Sequence, residues 1–503
     1  MMDIVFIGSG AATSSTLIEL LEKLLQHGSK KLNIAVIEKH YELWKGIPYG
    51  SRSSINALTI THTADFVYTE KEKPAFQNWL REHHDEWINF YRENGGLAAQ
   101  AWLKDNLHLV EAEQWDKVYL PRFVYGIYSS EKLSRLIQSA QNANLLYLQI
   151  IHGEAIDAKP INGNYEITIS QSNGEPITIS GKKVVLAIGS APVKNRATSG
   201  NSHLCINELY QPAAEENISA LLKRLKETLN TVNKNVLIIG SNASSIELLY
   251  LLNHRPDVLQ EINQLVVISR AGMMPYHLSE EELSDYPTHH LDEIKNTVYD
   301  VHQLVMAMKK DMADAIGDTV VVPHINRVIS YALQLLEPLG QQAKEIFFSV
   351  YGPHITRVIR RSGPAYKGAS EQLLGVGKLR LLKGEFIRLN DAKEGAELMY
   401  VDNTKKQQAY PLQFAVAVNC SGSNSLKDTS SRILASLLKS GICKTTISGE
   451  GIRVNKRFEA SENFYVMGPL LAGNMNELIH FWHLENVSRL LYLAPFLAAE
   501  LLG

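Results

Sequence analysis

The chain has 503 residues, of which 45% are hydrophobic, 20% charged and 8% aromatic. This length exceeds a single hydrophobic core, so two or more domains are expected, and the composition excludes disordered and fibrous proteins. The 50 basic and 53 acidic residues give a formal net charge of −3, which leaves no excess of positive charge to attract nucleic acid.

The cysteines and the apolar segments bear on the compartment. Cys205, Cys420 and Cys443 lie far apart without a C-x-x-C pair, so we expect reduced thiols, no disulfide framework and no metal site. No stretch reads as a signal peptide, and none reaches the roughly 18 uninterrupted apolar residues of a membrane span. The sequence therefore predicts a cytoplasmic protein with no membrane partner.

The first elements predict a β-α-β unit. An apolar run at residues 3–7 precedes a glycine turn, residues 16–25 have helical spacing, and a second apolar run at residues 33–37 ends in Glu38. Units of this kind open parallel sheets that bind dinucleotides.

The following segment breaks this pattern. Residues 40–120 mix aromatic and charged side chains without steady periodicity, apart from a helix near 74–84, and predict an insertion over the sheet. A helix at 131–144 and strands at 165–170, 176–180 and 183–188 then close the first domain.

A second unit repeats the first. It comprises a strand at 235–239, a turn at 240–245, a helix at 246–252 and a strand at 265–269. Residues 280–350 favour helices broken at Pro323 and Pro338, which predicts a helical insertion. Further strands are expected at 379–382, 398–401, 414–418 and 464–467, before a long C-terminal helix. The predicted fold is therefore α/β with two Rossmann-like dinucleotide-binding domains.

The first glycine turn has the chemistry of a pyrophosphate site. Glycine lets the backbone approach the phosphates, the following helix N-terminus offers free N–H groups, and Glu38 can accept hydrogen bonds from ribose hydroxyls. The third glycine of the usual motif is replaced by Thr13. The residues of the turn are Gly8, Ser9, Gly10, Ala11, Ala12 and Thr13.

The second turn is more degenerate. It consists of Gly240, Ser241, Asn242 and, at the last motif position, Ser245, so asparagine replaces the middle glycine. After the next strand, Arg270 occupies the place where NAD sites carry an acid, and a cation there favours the 2′-phosphate of NADPH. The alternative is an exposed arginine at a strand end.

Two dinucleotide sites in one chain indicate electron transfer between two nucleotides, and flavin with nicotinamide is the common pairing. We therefore expect FAD and NADPH as cofactors. Residues 1–190 and 423–503 would form the FAD-binding domain, with its insertion at 40–120. Residues 191–422 would form the NADPH-binding domain, with its helical insertion at about 280–350.

Short motifs along nearly the whole chain resemble the FAD-NAD(P)-binding family, which includes flavin-containing and N-hydroxylating monooxygenases. These are GIPYG at 46–50, PRFVYG at 121–126, VVLAIG at 184–189, NCSG at 419–422 and MGPL at 467–470. The resemblance implies that the first turn and Glu38 hold the FAD diphosphate and ribose, and that residues 46–62 flank the isoalloxazine. It also implies cofactor contacts for Lys39, Tyr49, Asn56, Arg122, Gly189, Gly468 and Pro469.

The expected activity is hydroxylation of a small molecule, with an amine or amino acid nitrogen as the first candidate, through a flavin hydroperoxide formed from molecular oxygen. The linker fingerprint of the monooxygenases survives only in Gly200, His203 and Tyr210. An oxidase or reductase of the same fold, or a flavin-bound sensor or interaction protein without turnover, therefore stays open. No catalytic residue is assigned, Trp482 and Glu485 are either active-site or packing residues, and the oligomeric state is open.

Overall fold

The protein is described by a computed structural model. It covers residues 1–503 except 29, 68, 172–173, 276–277, 280–284, 316–319, 353–354, 356–361 and 482–485, and it describes only the backbone of 278–279, 320–322 and 481. Trp482 and Glu485 thus lie outside the described residues. Within the described chain, no helix has both the length and the apolar character needed to cross a bilayer.

The strands, in chain order, are β1 (Met2–Ile7), β2 (Leu32–Glu38), β3 (Leu146–His152), β4 (Glu154–Ile161), β5 (Asn164–Ser170), β6 (Ile177–Leu186), β7 (Leu204–Ile206), β8 (Asn235–Ile239), β9 (Gln264–Ser269), β10 (Leu278–Ser279), β11 (Val320–Val321), β12 (Leu379–Lys383), β13 (Glu385–Ala392), β14 (Gly395–Val401), β15 (Gln407–Phe414), β16 (Val416–Asn419), β17 (Glu459–Ser461), β18 (Phe464–Val466), β19 (Asn474–Met475) and β20 (His480–Phe481).

The helices are α1 (Ala11–His27), α2 (Gly46–Tyr49), α3 (Thr63–Phe66), α4 (Glu72–Glu82), α5 (His84–Asn94), α6 (Gly96–Glu111), α7 (Arg122–Asn142), α8 (Ala214–Glu227), α9 (Ala243–Asn253), α10 (Pro256–Leu259), α11 (His289–Lys295), α12 (Val301–Asp314), α13 (Val322–Leu336), α14 (Gly340–Ile346), α15 (Pro364–Gly375), α16 (Arg432–Lys439) and α17 (Val487–Leu502). Short 3₁₀ turns occur at Thr231–Asn233, Glu337–Leu339, Leu426–Asp428 and Pro469–Leu471, and a π-helical turn at Phe347–Tyr351.

Two sheets confirm the predicted α/β class and share the order of four strands, which is β3-β2-β1-β6 in the first and β12-β9-β8-β16 in the second. The first runs β17-β18-β6-β1-β2-β3, and the second runs β12-β9-β8-β16-β7. In each, the strand before a glycine turn (β1 or β8) is parallel to both neighbours, which are β2 and β6 in one sheet and β9 and β16 in the other. Each turn thus lies at a switch point of strand order, where open α/β sheets bind ligands.

Antiparallel additions occur at equivalent places along the chain, within the first sheet in one case and as a separate sheet in the other. The hairpin β4–β5 lies between β3 and β6 along the chain, and the three-stranded β13–β14–β15 lies between β12 and β16. The predicted strands at 176–180 and 183–188 are one continuous strand, β6, whereas the predicted strand at 414–418 is interrupted at Ala415 between β15 and β16.

The insertion at 40–120 differs from the prediction. It contains consecutive helices, α4 to α6, where the sequence indicates only one. Their large side chains, including Trp79, Trp87 and Trp102, are buried in a core shared with the helices and strands of the second sheet. The insertion is therefore helical and packs toward the second half of the molecule.

The second insertion is helical, as predicted, and has a small core of its own around Met308 and Phe347. Pro323 does not break a helix: it lies in the first turn of α13, where its missing N–H costs nothing. Pro338 lies in the 3₁₀ turn that separates α13 from α14.

Candidate functional site

The first glycine turn is fixed by its neighbours. Gly8 donates its N–H to Ile37 O at 2.8 Å, and Ala187 donates to Ile7 O at 2.8 Å, so β2 and β6 hold the turn from both sides. Gly8 has φ +98°, and a Cβ atom there would lie 2.5 Å from Ala187 O. Only glycine fits this position.

The N-terminus of α1 has no side-chain cap. Its cap residue is Gly10, so the first N–H groups of the helix keep their capacity to bind an anion. Gly10 lies against Gly46, because a Cβ on Gly10 would be 3.4 Å from the Gly46 Cα. The predicted diphosphate site and the predicted flavin-flanking segment therefore meet here.

Thr13, the departure from the usual motif, has a structural role. It is fully buried, and its hydroxyl donates to Gly8 O at 2.6 Å. The first turn of α1 is therefore tied to the glycine turn by a side chain instead of by close helix–strand packing.

Glu38 is oriented by the turn that it faces. Its Oε2 accepts hydrogen bonds from the Ser9 N–H at 2.8 Å and the Ser9 hydroxyl at 2.9 Å, and its Oε1 accepts from the His40 N–H at 2.9 Å. A carboxylate has about four lone-pair sites. Acceptor capacity therefore remains for a ribose hydroxyl, while Lys39 beside it is exposed.

Two further glycines border this site. Nothing lies within 4 Å of the Cβ position of Gly189, so the space beside it is free for a ligand. Gly468 packs over α1, where a Cβ would be 3.3 Å from the Ala12 Cβ, and Pro469 begins the next 3₁₀ turn. Free helix N–H groups, an oriented acid and an open glycine together fit an FAD diphosphate and ribose.

Tyr49 and Asn56 are placed differently from these residues. Tyr49 is buried between Phe66 and Tyr125, with ring centroids 6.1 and 5.1 Å away, and burial raises its pKa. The Asn56 Oδ1 is buried without a hydrogen-bond partner among the described residues. Tyr49 therefore supports the site from the core, whereas Asn56 retains an unused acceptor.

The second glycine turn repeats the geometry of the first. Gly240 donates to Ile268 O at 2.8 Å, Cys420 donates to Ile239 O at 2.8 Å, and a Cβ on Gly240 would be 2.5 Å from Cys420 O. Ser241 is partly exposed beside it. The turn is thus built for close backbone approach, as the first one is.

Asn242 retains the backbone geometry of the residue that it replaces. Its φ and ψ are −91° and −167°, against −72° and −168° for Gly10. The two turns therefore follow the same backbone path, and the second differs in carrying the Asn242 side chain at its opening. Ser245, in the place of Thr13, is fully buried, and its hydroxyl has no partner among the described residues.

The register of the two turns corrects the position given to Arg270. Because Gly8 bonds to Ile37 and Gly240 to Ile268, the residue equivalent to Glu38 is Ser269, and Arg270 corresponds to Lys39. Ser269 brings no negative charge, and its hydroxyl accepts from the Gly272 N–H at 3.0 Å. Arg270 is exposed just beyond it.

Sequence reasoning missed the second-sheet counterpart of Gly189. Gly422 follows β16 by the same interval as Gly189 follows β6, has φ +87° against +82°, and likewise has nothing within 4 Å of its Cβ position. The motif NCSG contained this residue, but only the repeated geometry identifies its role.

A buried ion pair joins the surroundings of the two turns. The Arg122 Nη2, at the start of α7, contacts the Glu247 carboxylate on α9 and lies 3.2 Å from the Ser53 hydroxyl. Burial alone would lower the pKa of Arg122, but the negative charge of Glu247 raises it above the usual range. The only sequence indication of Glu247 was an acid within an otherwise apolar helix.

The segment after Gly46 contacts residues 210–215. Arg52 donates from Nε to Tyr210 O at 3.1 Å, its own carbonyl accepts from the Ala214 N–H at 2.9 Å, and the Ser54 hydroxyl donates to Glu215 at 2.6 Å. The fingerprint residues Gly200 and His203 lie apart from it, beside Asp391 on β13.

His290, Asp311 and Asp314 could geometrically hold a metal ion, because their ligand atoms lie within 4.8 Å of one another. The Asp311 carboxylate already accepts the N–H groups of His290 and Leu291, both at 2.9 Å. The Asp311 carboxylate therefore caps the N-terminus of α11.

The fold and the two turns define a flavoprotein of the FAD-NAD(P)-binding type, and residues 5–191 match the model of that family. The chain belongs to this family, and it is 36% identical over 509 residues to uncharacterized protein Rv3403c of Mycobacterium tuberculosis. The alignment covers 100% of the chain and 95% of that relative. The same figures apply to Mb3437c of Mycobacterium bovis.

Solved structures share the fold at low identity. The reduced form of the ornithine hydroxylase PvdA from Pseudomonas aeruginosa has a TM-score of 0.56 at 13% identity, covering 100% of this chain and 98% of that one. The ornithine N-hydroxylase KtzI of Kutzneria sp. 744, with reduced FAD, NADP+ and L-ornithine, has a TM-score of 0.56 at 12% identity, covering 100% and 99%.

Proposed function

We propose that the protein is an FAD-dependent monooxygenase that is reduced by NADPH and hydroxylates the nitrogen of a small primary amine or amino acid. The balanced reaction is R–NH2 + O2 + NADPH + H+ → R–NHOH + H2O + NADP+. The observation that carries the proposal is the pair of glycine turns with the same backbone bonds, one followed by Glu38 and the other by Ser269 and Arg270.

The two turns suit different nucleotides. At the first turn, the Glu38 carboxylate can accept hydrogen bonds from ribose hydroxyls, as an FAD site needs. At the second turn, the smaller and uncharged Ser269 leaves room for a 2′-phosphate, and Arg270 adds positive charge for it. We assign residues 1–190 and 423–503 to FAD and residues 191–422 to NADPH. Bound FAD would supply the redox chemistry, and the protein supplies binding, orientation and a dry site.

We assign the exclusion of water to the second insertion, at about 280–350. The Ser349 hydroxyl donates to Gly473 O at 2.7 Å, and the Gln341 side chain donates to Met475 O at 3.3 Å. These contacts hold the insertion against the segment that follows Gly468. A cover at this place keeps solvent from the reacting atoms, which an oxygenating enzyme requires.

The amine substrate class is supported by analogy of fold alone. Similar folds include the cadaverine monooxygenase DfoA of Erwinia amylovora, with a TM-score of 0.54 at 12% identity. Ornithine and cadaverine are therefore the first substrates to assay, and the proposed enzyme is cytoplasmic and uses molecular oxygen.

The test begins without oxygen. NADPH should bleach the visible absorption of the bound flavin faster than NADH, and Arg270→Gln should remove most of this preference while leaving reduction by dithionite unchanged. Oxygen and each amine are then added, and hydroxylamine product is measured against NADPH consumed. Stoichiometric hydrogen peroxide without hydroxylated product would instead identify an oxidase or reductase, and flavin that NADPH cannot reduce would favour a sensor or interaction protein.

A further inference from the structure

An exposed aromatic pair stands at the edge of the first sheet, next to Glu38. Tyr41 is 84% exposed, three residues beyond that acid, and its ring lies against the imidazole of His152, with centroids 5.3 Å apart and planes inclined by 37°. Isolated exposed aromatic residues are common, but here two rings converge at the carboxyl ends of adjacent parallel strands, β2 and β3.

The sheet places this pair in line with the nucleotide site. Along the carboxyl edge come the Gly8 turn after β1, Glu38 at the end of β2, and His152, which is the direct register partner of Glu38 on β3. The Gly153 N–H also donates to Glu38 O at 2.9 Å, which fixes the two strand ends together. Adjacent strands are about 4.8 Å apart, so the edge from β1 to β3 spans about 10 Å.

A nucleotide lying along this edge has a defined order of parts. If the diphosphate binds at the N-terminus of α1 and the ribose at Glu38, the base continues in the same direction beyond Glu38, toward β3. Aromatic side chains bind bases through their π faces without needing a particular set of hydrogen bonds.

We propose that Tyr41 and His152 form a stacking platform for the adenine of FAD, and that this platform makes the protein select FAD over flavins without an adenylate group. The proposal concerns how the cofactor is held and does not depend on whether oxygen is inserted into a substrate. It requires only that the first glycine turn binds FAD.

The chain offers a matched control. Tyr147 lies on the same strand as His152 and is 48% exposed, but it pairs with Asn33 at the amino end, about 16 Å away at 3.3 Å per residue. Tyr147→Ala removes the same exposed ring from the opposite edge. Tyr41→Phe keeps the stacking face and removes only the hydroxyl.

The experiment titrates full-length apoprotein with FAD and FMN, following flavin fluorescence, and measures ADP as a competitor of FAD. Stacking of one base corresponds to a change of about 5- to 150-fold in affinity. Tyr41→Ala should weaken FAD and ADP by a factor in this range, and His152→Ala should weaken both in the same direction. Tyr41→Phe and Tyr147→Ala should leave both affinities unchanged, and FMN affinity should not change in any variant.

The outcomes separate this proposal from the proposed function. If Tyr41→Ala and His152→Ala bind FAD and ADP as tightly as the wild type, the platform is refuted while the flavoenzyme assignment stands. Equal losses for FAD and FMN would also refute it, because the effect would then not lie at the adenine. A wild-type protein that binds no FAD would overturn both. Melting curves of each apoprotein check that the exposed substitutions leave the fold intact.

Discussion

Removing the ion pair between Arg122 and Glu247 should both lower the stability of the molecule and slow the reduction of its flavin by NADPH. Glu247→Gln keeps the size of the side chain and removes its charge, which leaves a largely buried guanidinium without its counter-ion. Breaking such a pair typically costs 3–5 kcal/mol. Because Arg122 is 20% exposed and keeps its contact with Ser53, we expect about 3 kcal/mol.

In a domain of roughly 200 residues, this loss corresponds to a fall in Tm of about 6–12 °C. Because the pair links α7 to the helix that follows the second turn, flavin reduction by NADPH should also slow, while reduction by dithionite should not. Scanning calorimetry and anaerobic stopped-flow spectroscopy measure the two effects. Glu371→Gln is the control, because its pair with Lys367, at 3.4 Å, is 61% and 37% exposed and should be worth less than about 1 kcal/mol. If Glu247→Gln melts within 1 °C of the wild type and of this control, on the order of the measurement error, the pair does not join the two halves as argued.

Three further predictions address the turns and the thiols. Thr13→Val should lower the free energy of unfolding by about 1–2 kcal/mol, measured by urea denaturation, because Gly8 O loses its donor; an unchanged midpoint would show that this bond contributes nothing. Asn242→Gly should tighten NADPH binding about tenfold in calorimetric titration, because the side chain leaves the mouth of the turn, whereas weaker binding would indicate that asparagine contacts the nucleotide. Burial raises the pKa of Cys420 and Cys443 to about 12 and that of Cys205 to about 11, so a thiol reagent at mildly alkaline pH should label all three only after denaturation; rapid labelling of the folded protein would contradict this.

The two β-α-β units could be predicted from sequence because their signals are local. An apolar run, a glycine and a helix follow one another within about 30 residues, and the strand at 235–239 has the predicted bounds. The register of Arg270 relative to the second glycine turn could not be predicted from such local signals. Its register against Gly240 depends on a hydrogen bond between two strands, which no local pattern records.

Helices α5 and α6, at 84–111, were missed for a physical reason, whereas the helix expected near 74–84 is present as α4. Only His83 separates α4 from α5, and only Gly95 separates α5 from α6, so the 3.6-residue period restarts with a new phase at each junction. A stretch of sequence that spans a junction therefore mixes the apolar faces of two helices and shows no 3.6-residue periodicity. The contact of Arg122 with Glu247 was likewise invisible, because it joins positions 125 residues apart.

The late return of the chain to the first sheet has a consequence for synthesis on the ribosome. Residues Val184 to Leu186 of β6 pair with β18, which follows about 280 residues later, and α17 packs against α1, with Lys23 reaching Pro495 O at 2.8 Å. At ~5–20 residues per second, the edge of β6 that faces β18 stays unpaired for roughly 14 to 56 s, although its other edge can already pair with β1, and during this time the second sheet can assemble. The first sheet is thus begun first and completed last. During that interval its open edge is the part of the nascent protein most exposed to aggregation.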